Sequence, residues 1–118
     1  MTLRALLTLA VLCTSLTTPA LADDRTDARR QVKFGIEVAG HGLWNEAIYR
    51  WERAVEIDPT YAQAYNNLGV AYEQAGDMDK AAGAYKKALA LEPNNQSVRE
   101  NYELFEEINE RASAADDD

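Results

Sequence analysis

Residues 62–95 read AQAYNNLGVAYEQAGDMDKAAGAYKKALALEPNN, and this stretch decides the fold. Its first half places apolar residues three and four positions apart, which predicts a helix that ends at Gly76. Asp77 is a favourable N-cap for a second helix, whose apolar stripe includes Tyr85 and which Pro93 ends. The stretch therefore predicts two helices joined by a tight turn.

The chain resembles itself at an offset of 34 residues. Six pairs of small residues and prolines are identical: Ala28/Ala62, Gly35/Gly69, Gly42/Gly76, Ala47/Ala81, Ala54/Ala88 and Pro59/Pro93. Large residues are exchanged for large ones, as in Trp51/Tyr85 and Phe34/Leu68. A period of this length is typical of stacked helical repeats, in which small residues let helices cross closely and large ones fill the remaining space.

The pattern resembles the tetratricopeptide repeat (TPR), a helix–turn–helix unit of this length. Residues 62–95 carry its large and small positions throughout: Tyr65, Leu68, Gly69, Tyr72, Ala81, Tyr85, Ala88 and Pro93. Residues 28–61 carry Phe34, Gly35, Val38, Ala47, Trp51, Ala54 and Pro59. This first copy departs from the pattern at Gln31, where an aromatic is usual, and at Leu43, where an acidic N-cap would help. The resemblance implies an all-α, right-handed TPR helical-repeat fold (an α-solenoid).

We expect five helices, at about residues 28–40, 44–57, 61–75, 78–91 and 96–112. The fifth has Val98, Tyr102, Phe105, Ile108 and Ala112 on one face, and no partner helix follows it. It therefore resembles the closing helix that covers the last repeat in this family. The expected domains are a polar stretch (23–27), two repeats (28–61 and 62–95), the closing helix (96–112) and an acidic disordered tail (113–118).

Residues 1–22 have the features of a secretory signal peptide. Arg4 precedes an apolar stretch over residues 5–16, and Ala20-Leu21-Ala22 has the small-x-small pattern of a signal-peptidase site. Cleavage after Ala22 would give an exported protein, periplasmic or secreted. A buried or membrane helix is the alternative, but the apolar stretch is shorter than the roughly 18 residues that a span needs. Lipidation of Cys13 is disfavoured, because Leu12 precedes it in place of a small residue.

Charge and cysteine content exclude several classes of function. The 118 residues include 12 Lys and Arg against 20 Asp and Glu, a formal net charge of −8. Such a chain lacks the basic surface that nucleic acids need. The region after Ala22 contains no stretch apolar enough to span a membrane and no cysteine for a disulfide, a Cys-ligated zinc or a thiol nucleophile. Most of the acidity lies in residues 99–118.

Individual residues offer no catalytic, cofactor or metal site. His41 lies in a predicted turn without an acid or nucleophile placed beside it. Trp44, Trp51 and Met78 occupy positions where helices of a pair pack, so we expect them in the core. The run Asp116–Asp118 lacks the glycine turn and ligand spacing of a calcium loop. We therefore expect a protein that is not an enzyme.

The TPR resemblance implies a concave groove, lined by the first helix of each pair, that binds a partner segment. The groove residues predicted to contact it are Arg29, Val32, Ile36, Gln63, Asn66, Val70, Glu73, Glu100 and Leu104. Val32, Ile36, Val70 and Leu104 would form an apolar floor, so that recognition rests mainly on apolar contacts. A clamp for a peptide carboxylate, known in the family, would use positions held here by Val32, Ile36, Asn67, Ser97 and Asn101, and only Asn67 fits.

These observations predict a non-enzymatic protein–protein interaction module, an adaptor of the periplasm or cell envelope, whose partner is another protein or peptide. The alternative is a self-associating structural subunit, a homo-oligomer whose exposed repeat surfaces pair with each other. It is motivated by the repeat count, because two repeats and a closing helix fall short of the roughly three repeats that stability requires. The first helix also lacks a polar cover.

Overall fold

The computed structural model describes residues 19–117, with side chains from residue 23 onward. This part of the chain is all-α and forms five helices: α1 (Pro19–Gly40), α2 (Trp44–Ile57), α3 (Ala62–Ala75), α4 (Met78–Leu91) and α5 (Gln96–Asp116). α1 packs along α2 and α3 along α4, α2 joins the two pairs through α3, and α5 packs on α4 and touches α3. The predicted helical-repeat architecture is confirmed.

The turns within the two helix pairs use the same backbone geometry. Gly42 and Gly76 follow α1 and α3 with φ of 75° and 77°, a left-handed conformation that glycine adopts without strain. Asp77 caps α4, since its Oδ1 accepts a hydrogen bond from the Lys80 backbone nitrogen at 3.2 Å. Leu43 occupies the same place before α2 and makes no side-chain cap bond, as the departure at this position predicts.

The first helix is longer than predicted. α1 begins at Pro19 instead of residue 28, so the polar stretch 23–27 is helical. Proline is well suited to the first helical position, and nothing between it and Ala28 breaks a helix. Residues 1–18 lie outside the described residues, and the bond after Ala22 falls within α1. The signal peptide stays a prediction.

The fifth helix also continues past its predicted end. α5 reaches Asp116 instead of residue 112, so the prediction of a disordered tail from residue 113 is wrong for nearly its whole length. Ala114 and Ala115 favour a helix, and the Ser113 hydroxyl donates to the Asn109 carbonyl at 3.0 Å. Nothing in the sequence stops this helix before the aspartates.

Each repeat pair is held together by an aromatic ring packed on a glycine. Trp51 is buried against Gly35 and donates its indole N–H to the Val32 carbonyl at 3.1 Å. Tyr85 is buried against Gly69 in the same way. The predicted core position of Trp51 is confirmed. Trp44 and Met78 differ from it, because Trp44 is only partly buried against the core and Met78 is exposed.

Aromatic contacts also fix α5 on the second repeat. Tyr85 lies 5.5 Å from Phe105 and 6.2 Å from Tyr102, measured between ring centroids. Val98 and Phe105 are the buried side chains of α5. The helix therefore covers the side of α4 that a further repeat would otherwise cover.

The opposite end of the array carries an exposed aromatic ring. Phe34, which matches the buried Leu68 of the second repeat, is exposed on α1. The Arg50 guanidinium lies over its ring, 4.5 Å from the centroid, and donates to Glu46 at 2.8 Å. A side chain of α2 therefore supplies part of the polar cover that α1 itself lacks.

Candidate functional site

A cavity of about 510 Å³ lies where α1, α3 and α5 come together, and we call it the polar cavity. Arg29, Gln63 and Asn66 of the predicted groove line it. Its other lining residues are Arg25, Tyr61, Asn67, Glu92, Asn95, Ser97 and Val98. The structure thus brings together three of the five polar members of the predicted set, at the end where α3 and α5 begin.

Two hydrogen-bond donors of the polar cavity have no partner. The side-chain nitrogen Nδ2 of Asn67 is buried and makes no hydrogen bond. Arg29 is exposed and forms no ion pair among the described residues. A buried donor without a partner costs about 1–3 kcal/mol, so oxygen acceptors brought by a ligand are favoured here.

A second arginine at the cavity is already neutralised. Arg25 of α1 forms an ion pair with Asp58 and donates to the Thr60 hydroxyl at 3.0 Å. Its guanidinium also lies 4.8 Å from the centroid of the Tyr61 ring. Burial alone would raise the pKa of Asp58, but the hydrogen bonds from Arg25 and Thr60 outweigh it and hold that pKa below its usual value. Arg29 is therefore the cation left for a ligand.

Neighbouring amides fix the shape of the cavity. The Asn101 side-chain nitrogen donates to Asn66 Oδ1 at 3.1 Å, which joins α5 to α3. The Tyr61 hydroxyl donates to Gln63 Oε1 at 2.9 Å. Both amide oxygens are thus occupied within the chain, and the amides face a ligand mainly as donors.

The predicted apolar floor is only partly present. Val32 is wrong as a contact residue, because it is 2% exposed and belongs to the core cluster of the first repeat. Ile36 and Leu104 are exposed, and Val70 is partly buried. None of these three lines the polar cavity. The apolar groups lie on the same three helices as the cavity but outside it.

Two glutamates of the predicted set are engaged in contacts within the chain. Burial raises the pKa of Tyr85, and the hydrogen bond that its hydroxyl donates to Glu73 raises that pKa further. Glu100 is exposed and accepts from the Gln96 side chain at 2.6 Å. Glu73 is thus tied to the core, whereas Glu100 stays at the surface of α5.

Sequence reasoning missed Arg25 and gave Asn67 too little weight. Arg25 fell in the stretch expected to precede the first helix, so no repeat position was assigned to it. Asn67 was singled out only as a remnant of a carboxylate clamp, and its neighbour Asn66 took the groove position. Its unpaired amide could be found only once the packing around it was known.

Other kinds of site find no support in the described residues. Residues 19–117 contain no group of three or more His, Cys, Asp and Glu side chains that could hold a metal ion. In the same range, no helix combines the length and apolar character that crossing a membrane requires. His41 is exposed in the turn between α1 and α2.

Comparison with known protein families identifies repeats in the stretch from α2 to α4. Residues 41–76 match the family model described as TPR repeat, and residues 62–95 match the model described as tetratricopeptide repeat. The chain therefore carries tetratricopeptide repeats. Repeats of this kind mediate protein–protein interactions, with a concave surface built from stacked helix pairs.

Similar proteins come from plants and bacteria. The chain is 32% identical over 77 residues to tetratricopeptide repeat domain-containing protein PYG7, chloroplastic, of Arabidopsis thaliana, covering 65% of this chain and 26% of that protein. It is 39% identical over 56 residues to the Hsp70-Hsp90 organizing protein of Triticum aestivum, covering 48% and 10%. It is 36% identical over 77 residues to cellulose synthase operon protein C of Escherichia coli K12, covering 65% of this chain and 6% of that protein. The alignments span about a quarter or less of these relatives.

Proposed function

We propose that this chain is a non-enzymatic protein–protein interaction module that binds a segment of another protein across α1, α3 and α5. One observation carries the proposal: the polar cavity is lined by a free arginine, Arg29, and by Asn67, whose Nδ2 is buried and unpaired. Both groups donate hydrogen bonds, and a partner segment offers carbonyl and carboxylate oxygens that accept them.

The proposed mode of recognition is more polar than the sequence alone suggests. Oxygens of the partner segment bind Arg29 and Asn67 in the cavity, while apolar side chains of the segment pack on Ile36, Val70 and Leu104 outside it. Each apolar contact adds affinity in proportion to the area it buries. The buried amide adds specificity, because a ligand without an acceptor leaves that amide unpaired.

The comparisons support an interaction role in general terms. One relative, the Hsp70-Hsp90 organizing protein, is named for organizing two other proteins. The shared part is a small share of that protein, so the partner of this chain is proposed by chemistry alone. It is an extended or helical segment with an exposed carboxylate or carbonyl group and apolar neighbours.

The proposal is tested with peptides selected from a random display library against the chain from Asp23 onward. The affinity of a selected peptide is then measured by fluorescence anisotropy for the wild type, Asn67→Ala and Val70→Glu. We expect each substitution to weaken binding about tenfold or more, since each removes or opposes a direct contact. Ala90→Glu is the matched control, because it adds the same charge at an exposed position of α4. Equal affinity in all four proteins would contradict the proposal.

We also propose export to the periplasm or cell exterior, on the sequence of residues 1–22 alone. The protein recovered from its own cells is expected to begin at Asp23, which sequencing of its N-terminus determines. Because Arg25 lies beyond the cleavage site, the ion pair with Asp58 would be retained. A protein that begins at Met1, or that is recovered only from the cytoplasmic fraction, would contradict export.

A further inference from the structure

A second surface lies between α2 and α4, with α3 as its floor, and we call it the tyrosine crevice. Its volume is about 340 Å³, and the half-buried rings of Tyr65 and Tyr72 line it together with Val55. Gly83 of α4 widens it, because a Cβ built there meets no atom within 4 Å. The crevice therefore offers an apolar floor with room for side chains from outside.

Positive charge marks one rim of the crevice. Lys80 and Lys87 of α4 lie over the rings of Tyr72 and Tyr65, with the ammonium nitrogens 5.6 Å and 6.0 Å from the ring centroids. They are seven residues apart, which is about 10.5 Å along a helix. Lys80 has only a weak exposed pairing with Asp77 at 3.8 Å. An apolar floor beside a row of cations fits a helix with apolar side chains and acids along one side.

The rim on α2 carries a different charge. Glu52 accepts a hydrogen bond from the Tyr72 hydroxyl at 2.7 Å, so its carboxylate is held by the crevice itself. Because the two rims differ, a bound helix would need its acids on the α4 side only. The crevice thus distinguishes a one-sided acidic helix from one with acids on both sides.

The C-terminal part of α5 carries exposed apolar side chains with acids on one side of them. Leu104 and Ile108 are one turn apart and 57% and 52% exposed, although α5 packs on its own chain through Val98 and Phe105. At helical spacing, acids flank one side of this apolar pair: Glu100, Glu103, Glu107 and Glu110, of which Glu107 is paired with Arg111. Their spacing of seven residues, Glu100 to Glu107 and Glu103 to Glu110, repeats that of the two lysines.

We propose that α5 of one copy docks in the tyrosine crevice of a second copy. Leu104 and Ile108 enter between α2 and α4 near Gly83, and the glutamates of α5 face Lys80 and Lys87. The charge distribution favours a second copy as the occupant, since the chain concentrates its acids in residues 99–118. Two different surfaces meet, so each copy can give one α5 and receive another, forming a chain or ring.

The contact differs from the one proposed for a partner segment. The polar cavity is lined from α1, α3, α5 and the loop before α5, whereas the crevice is lined from α2, α3 and α4. Leu104 takes part in both contacts, so a bound partner segment and a second copy compete for it. Asn67 belongs only to the first contact, and Lys80 only to the second.

The test uses charge reversal and rescue, read by sedimentation velocity of the full chain at rising concentration. Variant X carries Lys80→Glu and Lys87→Glu, and variant Y carries Glu103→Lys and Glu110→Lys. Each alone should shift the midpoint of association about tenfold or more to higher concentration, because like charges then meet. Mixed in equal amounts, X and Y should associate as the wild type does, since positions 103 and 110 of every α5 then face positions 80 and 87 of opposite charge.

Two controls separate this contact from general charge effects and from the proposed function. Lys33→Glu with Lys86→Glu reverses two other exposed lysines and should leave association unchanged. Asn67→Ala should also leave it unchanged while weakening the binding of a selected peptide. The circular dichroism of every variant should match the wild type, as all substituted lysines and glutamates are exposed. A wild type that stays monomeric, or an X and Y mixture no more associated than either alone, would overturn the proposal.

Discussion

The ring of Tyr85 packs directly on the backbone of Gly69, where a Cβ atom would lie 2.5 Å from the ring atom Cε1. The same relationship joins Trp51 to Gly35 in the first repeat. In both pairs the glycine lies on the first helix and the ring on the second. The close approach of the two helices therefore depends on the missing side chain as much as on the ring.

Gly69→Ala is expected to lower the free energy of unfolding by about 2–3 kcal/mol, because the ring of Tyr85 must move out of its place in the core. Urea denaturation followed by circular dichroism measures this. Gly83→Ala is the matched control in α4, where a Cβ meets no atom within 4 Å. It should raise stability by up to about 1 kcal/mol through helix propensity. The interpretation fails if the two variants are equally stable.

Substitutions at the two N-cap positions, Asp77 and Leu43, should change the stability of the protein in opposite directions. Asp77→Ala removes the bond to the Lys80 backbone nitrogen and should cost about 1 kcal/mol of stability. Leu43→Asp places a capping acid before α2, where the wild type has no side-chain cap, and should add about 0.5–1 kcal/mol. Thermal unfolding of the two variants measures both changes. A loss of stability in Leu43→Asp would show that the exposed leucine has a packing role.

The ion pair between Arg25 and Asp58 should make stability depend on pH. The pKa of Asp58 is lower in the folded protein than in the unfolded chain, so its contribution to stability is present above the unfolded pKa and is lost as pH falls through the folded pKa. Asp58→Asn should therefore cost about 1–2 kcal/mol near pH 7 and progressively less in acid. Urea denaturation at several pH values measures the difference. Asp23→Asn, an exposed change on α1 two residues before Arg25, should cost nothing at any pH.

Removing the side chains of the neighbouring residues Asn66 and Asn67 of α3 should have different effects on stability. Asn66→Ala breaks the hydrogen bond that joins α3 to α5 and should destabilise the chain by about 1 kcal/mol. Asn67→Ala removes a buried amide nitrogen without a partner, so stability should be unchanged or higher. Urea denaturation compares the two. A clear loss of stability in Asn67→Ala would mean that this amide serves the fold and not a ligand.

Local signals explain why the middle of the fold could be predicted. Gly76, Asp77 and Pro93 act on the residues beside them, and the helices they bound, α3 and α4, begin and end within a residue of the predicted limits. The ends of the array carry no such signals. α1 and α5 therefore extend as far as helix-forming residues continue, which a repeat pattern cannot show.

The site was harder to predict, because a position in the repeat defines the face of the helix on which a side chain lies but not how deeply that side chain is buried. Val32 and Asn66 occupy the same position in successive repeats, yet Val32 is in the core while Asn66 bonds to α5. The unpaired state of Asn67 likewise depends on what surrounds it in three dimensions. Arg29 and Gln63 line the polar cavity, whereas Ile36, Val70 and Leu104, predicted for the same groove, lie outside it.

Chemical-shift mapping of a bound peptide tests the central claim most directly. A peptide selected against the chain is titrated into the isotopically labelled protein, and the change at each backbone amide is followed by NMR. Binding across α1, α3 and α5 predicts the largest changes at Arg29, Gln63, Asn67 and Ser97, with Gly83 of the tyrosine crevice unaffected. The contradictory result is a set of changes centred on Gly83 between α2 and α4, with the amides around Asn67 unmoved.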